Sequence, residues 1–375
     1  MGEIVSYIIL LSAAQGIFFS VVLLGLQGAN RSANRWLALL TTSFAINMAG
    51  TALYDLRIVL KFPHLGLVGT PFAMLIGIGF WFFVKSFTEK NFRMSRWHWL
   101  NFIPFVVTLI YFMPFYLQPA ANKRAILQAS YTQKPDFWVW SFIAINIVSF
   151  VYIVMTVALV LGHERHIRQV FSNTEKKSLQ WLIQFFGAGV ATYVICIALS
   201  FYDMGFADSF SNLTFSAVIY VMGYRALKQP EIFKNIPEEV VVETNEPALV
   251  KAPVKYEKSG LTDRKARELL EKLEAAMAVD KIYLNPELTL PQLAEHLGST
   301  PHLISQLLNQ YKQESFFDFI NRYRVEHFKQ DALNPAKAHL SILAIAFDSG
   351  FNSKAAFNAV FKKITGTTPS AFRNP

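Results

Sequence analysis

Leu290-Pro291-Gln292-Leu293-Ala294-Glu295-His296-Leu297-Gly298-Ser299-Thr300-Pro301 reads as one short helix, a glycine stop and the start of a second helix. Thr300 stands where an N-cap belongs, and Pro301 occupies the first helical position, where proline is tolerated. Ile304, Leu307 and Leu308 would form the buried side of the second helix. A small residue, a glycine four later and a branched apolar residue six beyond suit a helix-turn-helix. Alanine lets the helices cross closely, glycine takes the tight turn, and the apolar side chain locks the second helix.

The pattern returns at Ile342-Leu343-Ala344-Ile345-Ala346-Phe347-Asp348-Ser349-Gly350-Phe351, its alanine 52 residues beyond Ala294. Ser353 caps the next helix, whose core side is Phe357, Val360 and Phe361. The glycine-to-apolar distance is seven here against six before, so this turn is one residue longer. Between the copies, 315–332 is strongly helical, with Phe316, Phe319, Ile320, Tyr323 and Phe328 on its apolar face. Such a helix is about 27 Å long, a spacer that could set two readers near one duplex turn, ~34 Å. The expected elements are therefore a first helix-turn-helix at 290–311, a linking helix at 315–332 and a second helix-turn-helix at 342–364.

Upstream, 259–280 forms an amphipathic lead-in helix, with Leu261, Leu269, Leu270, Leu273, Ala276 and Met277 on one side. Thr262 can cap it, although Lys265 excludes a full capping box. The stretch 225–258 holds 6 basic and 6 acidic residues, little periodicity and prolines at 230, 237, 247 and 253, and reads as an irregular cytoplasmic linker.

The rest of the chain expects another solvent. The 375 residues are 53% hydrophobic and only 16% charged, which excludes a disordered chain and argues against a wholly soluble enzyme. The single cysteine, Cys196, excludes an intrachain disulfide, a CxxC zinc site and a thiol redox pair. Residues 1–224 carry 15 Lys/Arg and 8 Asp/Glu, whereas 225–375 carry 20 and 18. In the first region the charges cluster, leaving seven stretches without Asp, Glu, Lys or Arg: 4–27, 36–54, 65–84, 97–122, 137–162, 178–202 and 209–224. A helix needs about 20 apolar residues to cross a ~30 Å hydrocarbon core. Six stretches meet that length, and the seventh, at 16 residues, gains reach if Arg225 and Lys228 snorkel. Glu3 in place of a basic leader argues against a signal peptide in the first stretch.

Orientation follows from loop charge. The odd-numbered loops hold ten Lys/Arg, the even-numbered five. The expected topology puts the N-terminus outside and the segment after the seventh helix in the cytoplasm. Asn47, Asn101, Asn146, Gln184 and Asp55 are polar groups within or bordering the spans, where interhelical hydrogen bonding accounts for amides. Ser12, Gly16 and Ser20 make a small-residue face for helix packing, as does Gly77-Ile78-Gly79. His163-Glu164-Arg165-His166 has the spacing of a metal pair but lies in a basic loop without cysteine or a second carboxylate, so it reads as a solvated loop. No HExxH, GxSxG or phosphate loop occurs, and nothing in the sequence calls for catalysis, a metal or a cofactor.

The run Ile345-Ala346, Gly350-Phe351, Ser353, Phe357, Phe361-Lys362-Lys363, Gly366, Thr368-Pro369-Ser370, Phe372-Arg373 resembles the signature of the AraC/XylS family of bacterial transcription regulators. Phe319-Ile320-Asn321 with Tyr323-Arg324-Val325 is similar to that family's linking helix. The resemblance covers 281–375, and with seven membrane helices ahead of it the architecture resembles the membrane-bound members. It implies that His302, Ser305 and Gln306 face bases on the first recognition helix, with Asn309 nearer the backbone. In the second copy it implies that Lys354, Ala355, Asn358 and Ala359 face the groove and that Lys362 and Lys363 lie near phosphates. Asn and Gln can pair bidentately with adenine, and lysine reaches guanine or phosphate. Two positions depart from the pattern: Ala359 stands where arginine is frequent, and Gln313 where glycine commonly ends the helix.

The expectation is an all-α protein: a seven-helix membrane sensor over 1–224, a linker over 225–258, a lead-in helix over 259–280 and a double helix-turn-helix domain over 281–375. As a function, this is a one-component regulator in the bacterial inner membrane. Its partners would be double-stranded promoter DNA, the lipid bilayer, an extracellular or membrane ligand of unspecified chemistry, a second copy in a homodimer, and RNA polymerase if it activates. The alternative is a transporter or channel-like protein with a regulatory tail. That predicts midplane ionisable residues and repeated broken helices, which the spans lack.

Overall fold

The computed structural model describes residues 2–26, 31–89, 92–132, 136–175, 177–200, 214, 217 and 261–373. Among them regular structure is helical, apart from one isolated bridge between Phe171 and Thr289. The chain divides into two compact units: 1–161 with 179–232, and 162–178 with 233–375. The composition break at 225 gives no sign that 162–178 belongs with the C-terminal part.

The first unit begins with α1 (Gly2–Gly25), α2 (Arg31–Asp55), α3 (Ile58–Lys61), α4 (Gly69–Thr88), α5 (Ile103–Tyr116) and α6 (Ala120–Ser130). The helix α7 (Asp136–Val170) follows, then α8 (Gln180–Ser200). Among the described residues five segments are long and apolar enough to cross a membrane: Glu3–Gly25, Arg31–Asp55, Pro63–Thr88, Arg96–Tyr116 and Ile143–Val170. They coincide with the first five charge-free stretches, and α8 falls on the sixth. The seventh, 209–224, apart from residues 214 and 217, and the linker 225–258 lie outside the described residues.

Small residues set the close helix crossings. A Cβ on Gly16 would stand 3.1 Å from Ala45 Cβ, and one on Gly79 would stand 3.0 Å from Leu40 Cβ. Ser20 and Thr41 share a hydrogen bond of 2.6 Å across the α1–α2 contact. Two of the amides join neighbouring segments, as expected of polar groups in apolar surroundings. Asn47 Nδ2 donates to Gly69 O at 3.2 Å, and Tyr152 OH donates to Asn101 Oδ1 at 2.8 Å. At 35 residues α7 is about 52 Å long, well beyond a ~30 Å hydrocarbon core.

The second unit contains the end of α7, then α9 (Asp263–Ala278), α10 (Leu290–His296), α11 (Pro301–Leu307), α12 (Phe316–Ala332), α13 (Ile342–Asp348), α14 (Lys354–Thr365) and α15 (Pro369–Arg373). It has two cores. Leu269, Leu273, Leu293, Ile304, Leu307 and Phe319 belong to the first; Val325, Phe328, Ile345, Phe357, Val360 and Phe361 belong to the second. The two meet on α12, which buries its N-terminal half in one and its C-terminal half in the other. The solvated loop expected at 163–166 is not what forms. His163 is buried, its Nε2 donates to Lys177 O at 3.0 Å, and Ser178 Oγ donates to Glu164 Oε1 at 2.7 Å.

Candidate nucleic-acid interface

The helices α9 to α14 each start on a side-chain cap. Thr262 Oγ1 accepts from Lys265 N, and Thr300 Oγ1 accepts from Leu303 N. Ser315, Ser341 and Ser353 accept from the amides of Asp318, Ala344 and Ala356. Before α10, Thr289 and Gln292 form a reciprocal capping box. Each cap replaces a lost N–H partner and contributes about 1 kcal/mol.

The turns of the two helix pairs close in the same way. Gly298 (φ 62) and Gly350 (φ 92) both take the left-handed conformation. The next amide then bonds back to the buried alanine, Ser299 N to Ala294 O at 2.8 Å and Phe351 N to Ala346 O at 3.1 Å. This 6→1 bond marks a Schellman stop. Ala294 and Ala346 are both fully buried, which fits close crossing of the paired helices.

On the far side of the second pair, Lys354, Ala355, Asn358, Ala359, Lys362 and Lys363 are all exposed on α14. Lys354, Asn358 and Lys362 are spaced four apart and so share one face. The first pair presents less. His302 and Asn309 are exposed and Ser305 is half-buried. Gln306, expected among them, is instead buried at 2% exposure and donates Nε2 to Gln310 Oε1 at 3.2 Å. Gln310, the acceptor, is itself exposed in the turn that follows. Lys363 is also engaged, donating to Asp318 Oδ1 on α12 at 2.6 Å. Burial pushes the Asp318 carboxyl up, but hydrogen bonds from Lys363 and Ser315 and the charge of Arg168 outweigh that and hold it below its usual value.

The helix after α11 ends through a π-turn, Leu308–Lys312, and Gln313 takes φ 54, ψ 32. The position thus needs the conformation that glycine supplies in the pattern from which this sequence departs.

Sequence reasoning missed Arg324. It is 1% exposed in the middle of α12, and burial pulls its guanidinium down to about 10, still cationic at neutral pH. The available signal was its register, a charge four residues from both Ile320 and Phe328 on the buried stripe.

Residues 293–375 match the family described as helix-turn-helix domain. Both turns and α12 lie within that match. The C-terminal region is a helix-turn-helix domain of the AraC type. An uncharacterized HTH-type transcriptional regulator from Staphylococcus aureus (strain COL) is 26% identical over 39% of this chain and 19% of its own length. The uncharacterized transcriptional regulatory protein YesN of Bacillus subtilis (strain 168) is 37% identical over 24% of each chain. The chain thus spans about a fifth of the length of the staphylococcal relatives, and the likeness to YesN is of the size of the AraC-type domain. No solved structure matches.

Proposed function

We propose that the protein is a membrane-anchored, one-component transcription regulator, in which the helices of 1–224 receive an extracellular or membrane signal and the AraC-type domain binds promoter DNA in the cytoplasm. The observation that carries the DNA half is the exposed stripe Lys354, Asn358 and Lys362 on a helix seated by the same turn bonding as the first pair. An amide flanked one turn either side by cations suits a base edge between phosphates. His302, Ser305 and Asn309 serve the first reader, and Gln306 supports that helix from inside. Both helix pairs act as helix-turn-helix readers, and two copies supply the avidity that a module of this size needs. The net charge of 281–375 is modest, 10 basic against 7 acidic residues, so placement of charge matters more than the total field.

The membrane half rests on the five apolar segments and on what they leave uncovered. Phe18 is 71% exposed and Leu11 61%, on a helix with only Glu3 charged. Apolar side chains displayed along a whole helix belong in a solvent as apolar as themselves.

Nuclease footprinting of the full chain in lipid nanodiscs tests the reading, using promoter fragments recovered by immunoprecipitation. Asn358→Ala should cost about 1–3 kcal/mol on the recovered fragment and little on unrelated duplex. Lys362→Ala should weaken both and reduce the salt slope by about 0.9. Footprints indifferent to both substitutions would remove α14 from the interface.

A further inference from the structure

A densely bonded junction of the second unit is buried, apart from the exposed stripe. The Arg324 guanidinium donates Nε to Tyr283 O at 2.8 Å and Nη2 to Asn285 O at 2.7 Å, both just ahead of the first helix pair. It also donates Nη2 to Ser172 Oγ at 3.0 Å, and Asn321 Nδ2 donates to Ser172 O at 3.0 Å. Ser172 in turn donates its N–H and Oγ to Leu288 O at 3.2 and 2.7 Å, next to the cap of α10. Phe171 pairs with that cap residue, Thr289, in the isolated bridge.

The same junction touches the second pair. A Cβ on Gly350 would lie 3.0 Å from Arg324 Nε and 2.6 Å from Tyr283 O, so the turn before α14 is packed directly on the guanidinium. Glu287 repeats the connection at the rim. It accepts from Asn352 Nδ2 at 2.8 Å and lies 3.9 Å from Lys177 Nζ. The segment Gly162–Ser178 therefore bonds the first pair and the linking helix. Through the shared Arg324 and Glu287 it also reaches the turn of the second pair.

We propose that Gly162–Ser178 is a coupling strap: seated on Arg324, it holds the two helix pairs in their DNA-binding arrangement, and displacement at the end of α7 unseats it. The proposal rests on the DNA-binding reading above and adds the route by which that binding is controlled. The physical basis is pre-organisation. A domain whose two readers are already fixed loses less freedom on binding than one whose readers move independently. A buried cation satisfied by oxygens from separate segments rewards only the complete arrangement. The helix α7 runs unbroken to Val170, so a shift along it arrives at Phe171-Ser172 two residues later.

Linkage makes this testable without knowing the signal. If seating favours DNA binding, DNA must favour seating by the same factor. Bridge-paired residues lie within disulfide reach, so Phe171→Cys with Thr289→Cys in a Cys196→Ser full chain reports seating in nanodiscs. In a thiol–disulfide buffer, promoter DNA recovered as above should raise the equilibrium ratio of disulfide to dithiol about fivefold or more over an unrelated duplex. Ser172→Gly with Asn321→Ala should weaken the footprint by a similar factor, and the oxidised cysteine pair should keep it. The strap is overturned if the unaltered chain footprints normally while disulfide formation ignores promoter DNA, or if the pair never forms. An unaltered chain that leaves no footprint refutes the DNA-binding reading itself.

Discussion

Gln313 holds a backbone position with φ 54, where a side chain costs about 1 kcal/mol relative to glycine. Gln313→Gly should therefore stabilise the protein by about 1 kcal/mol, read as a higher midpoint in thermal unfolding. Arg324 lies at the opposite extreme. Arg324→Met leaves the carbonyl of Tyr283 without its donor and takes one donor from that of Asn285, which keeps the Leu288 amide, and should cost about 3 kcal/mol. His327 contributes to the pH dependence. Burial lowers it below 6.5, Asp331 opposes this in part, and Lys281 and Lys337 reinforce it. The unfolded chain then takes up the proton first, so stability present above pH 6.5 is lost as the pH falls toward the folded value. Asp318, also held low, extends the loss to more acid pH. The melting midpoint should drop as the pH falls below about 6.5, and His327→Gln should reduce that drop. A midpoint that rises on acidification would contradict this assignment.

At the scale of elements, α12 carries the domain. Phe319 and Phe328 are both fully buried but in different cores. Truncating either to alanine should cost about 3–5 kcal/mol. Phe319→Ala should loosen the amides of α11 first and Phe328→Ala those of α14, as hydrogen exchange would detect. This layout was legible beforehand because its signals are local. Ala294, Gly298 and Ile304 declare a helix, a turn and a buried anchor by spacing alone, and Ala346, Gly350 and Phe357 repeat them. The apolar faces of α9 and α12 follow from the 3.6-residue period. Gln306 was misplaced because helical phase assigns a face but not what packs over it. The Ser172–Arg324 contact had no such signal. Hydrogen bonds to a hydroxyl and a backbone carbonyl, made across 152 positions of sequence, leave neither periodicity nor a charge pattern.

For the whole molecule, hydropathy located the long apolar helices because crossing a bilayer demands about 20 apolar residues in a row. It could not reveal that 162–178 belongs with the C-terminal unit, since that assignment depends on packing rather than composition. The net charge of +9 first points to a polyanion, yet residues 1–224 contribute +7 of it, largely in the odd-numbered loops. On the proposed topology most of the basic balance sets orientation, and a reporter fused at the C-terminus should be active only in the cytoplasm. The case for DNA rests on the paired helices and their exposed faces. Chromatin immunoprecipitation of the tagged full chain beside its Lys354→Ala/Asn358→Ala variant tests that case most directly. The account predicts enrichment at a restricted set of promoters by the unaltered chain, lost in the variant at equal membrane abundance. Equal enrichment by both, or none by the unaltered chain, would contradict it.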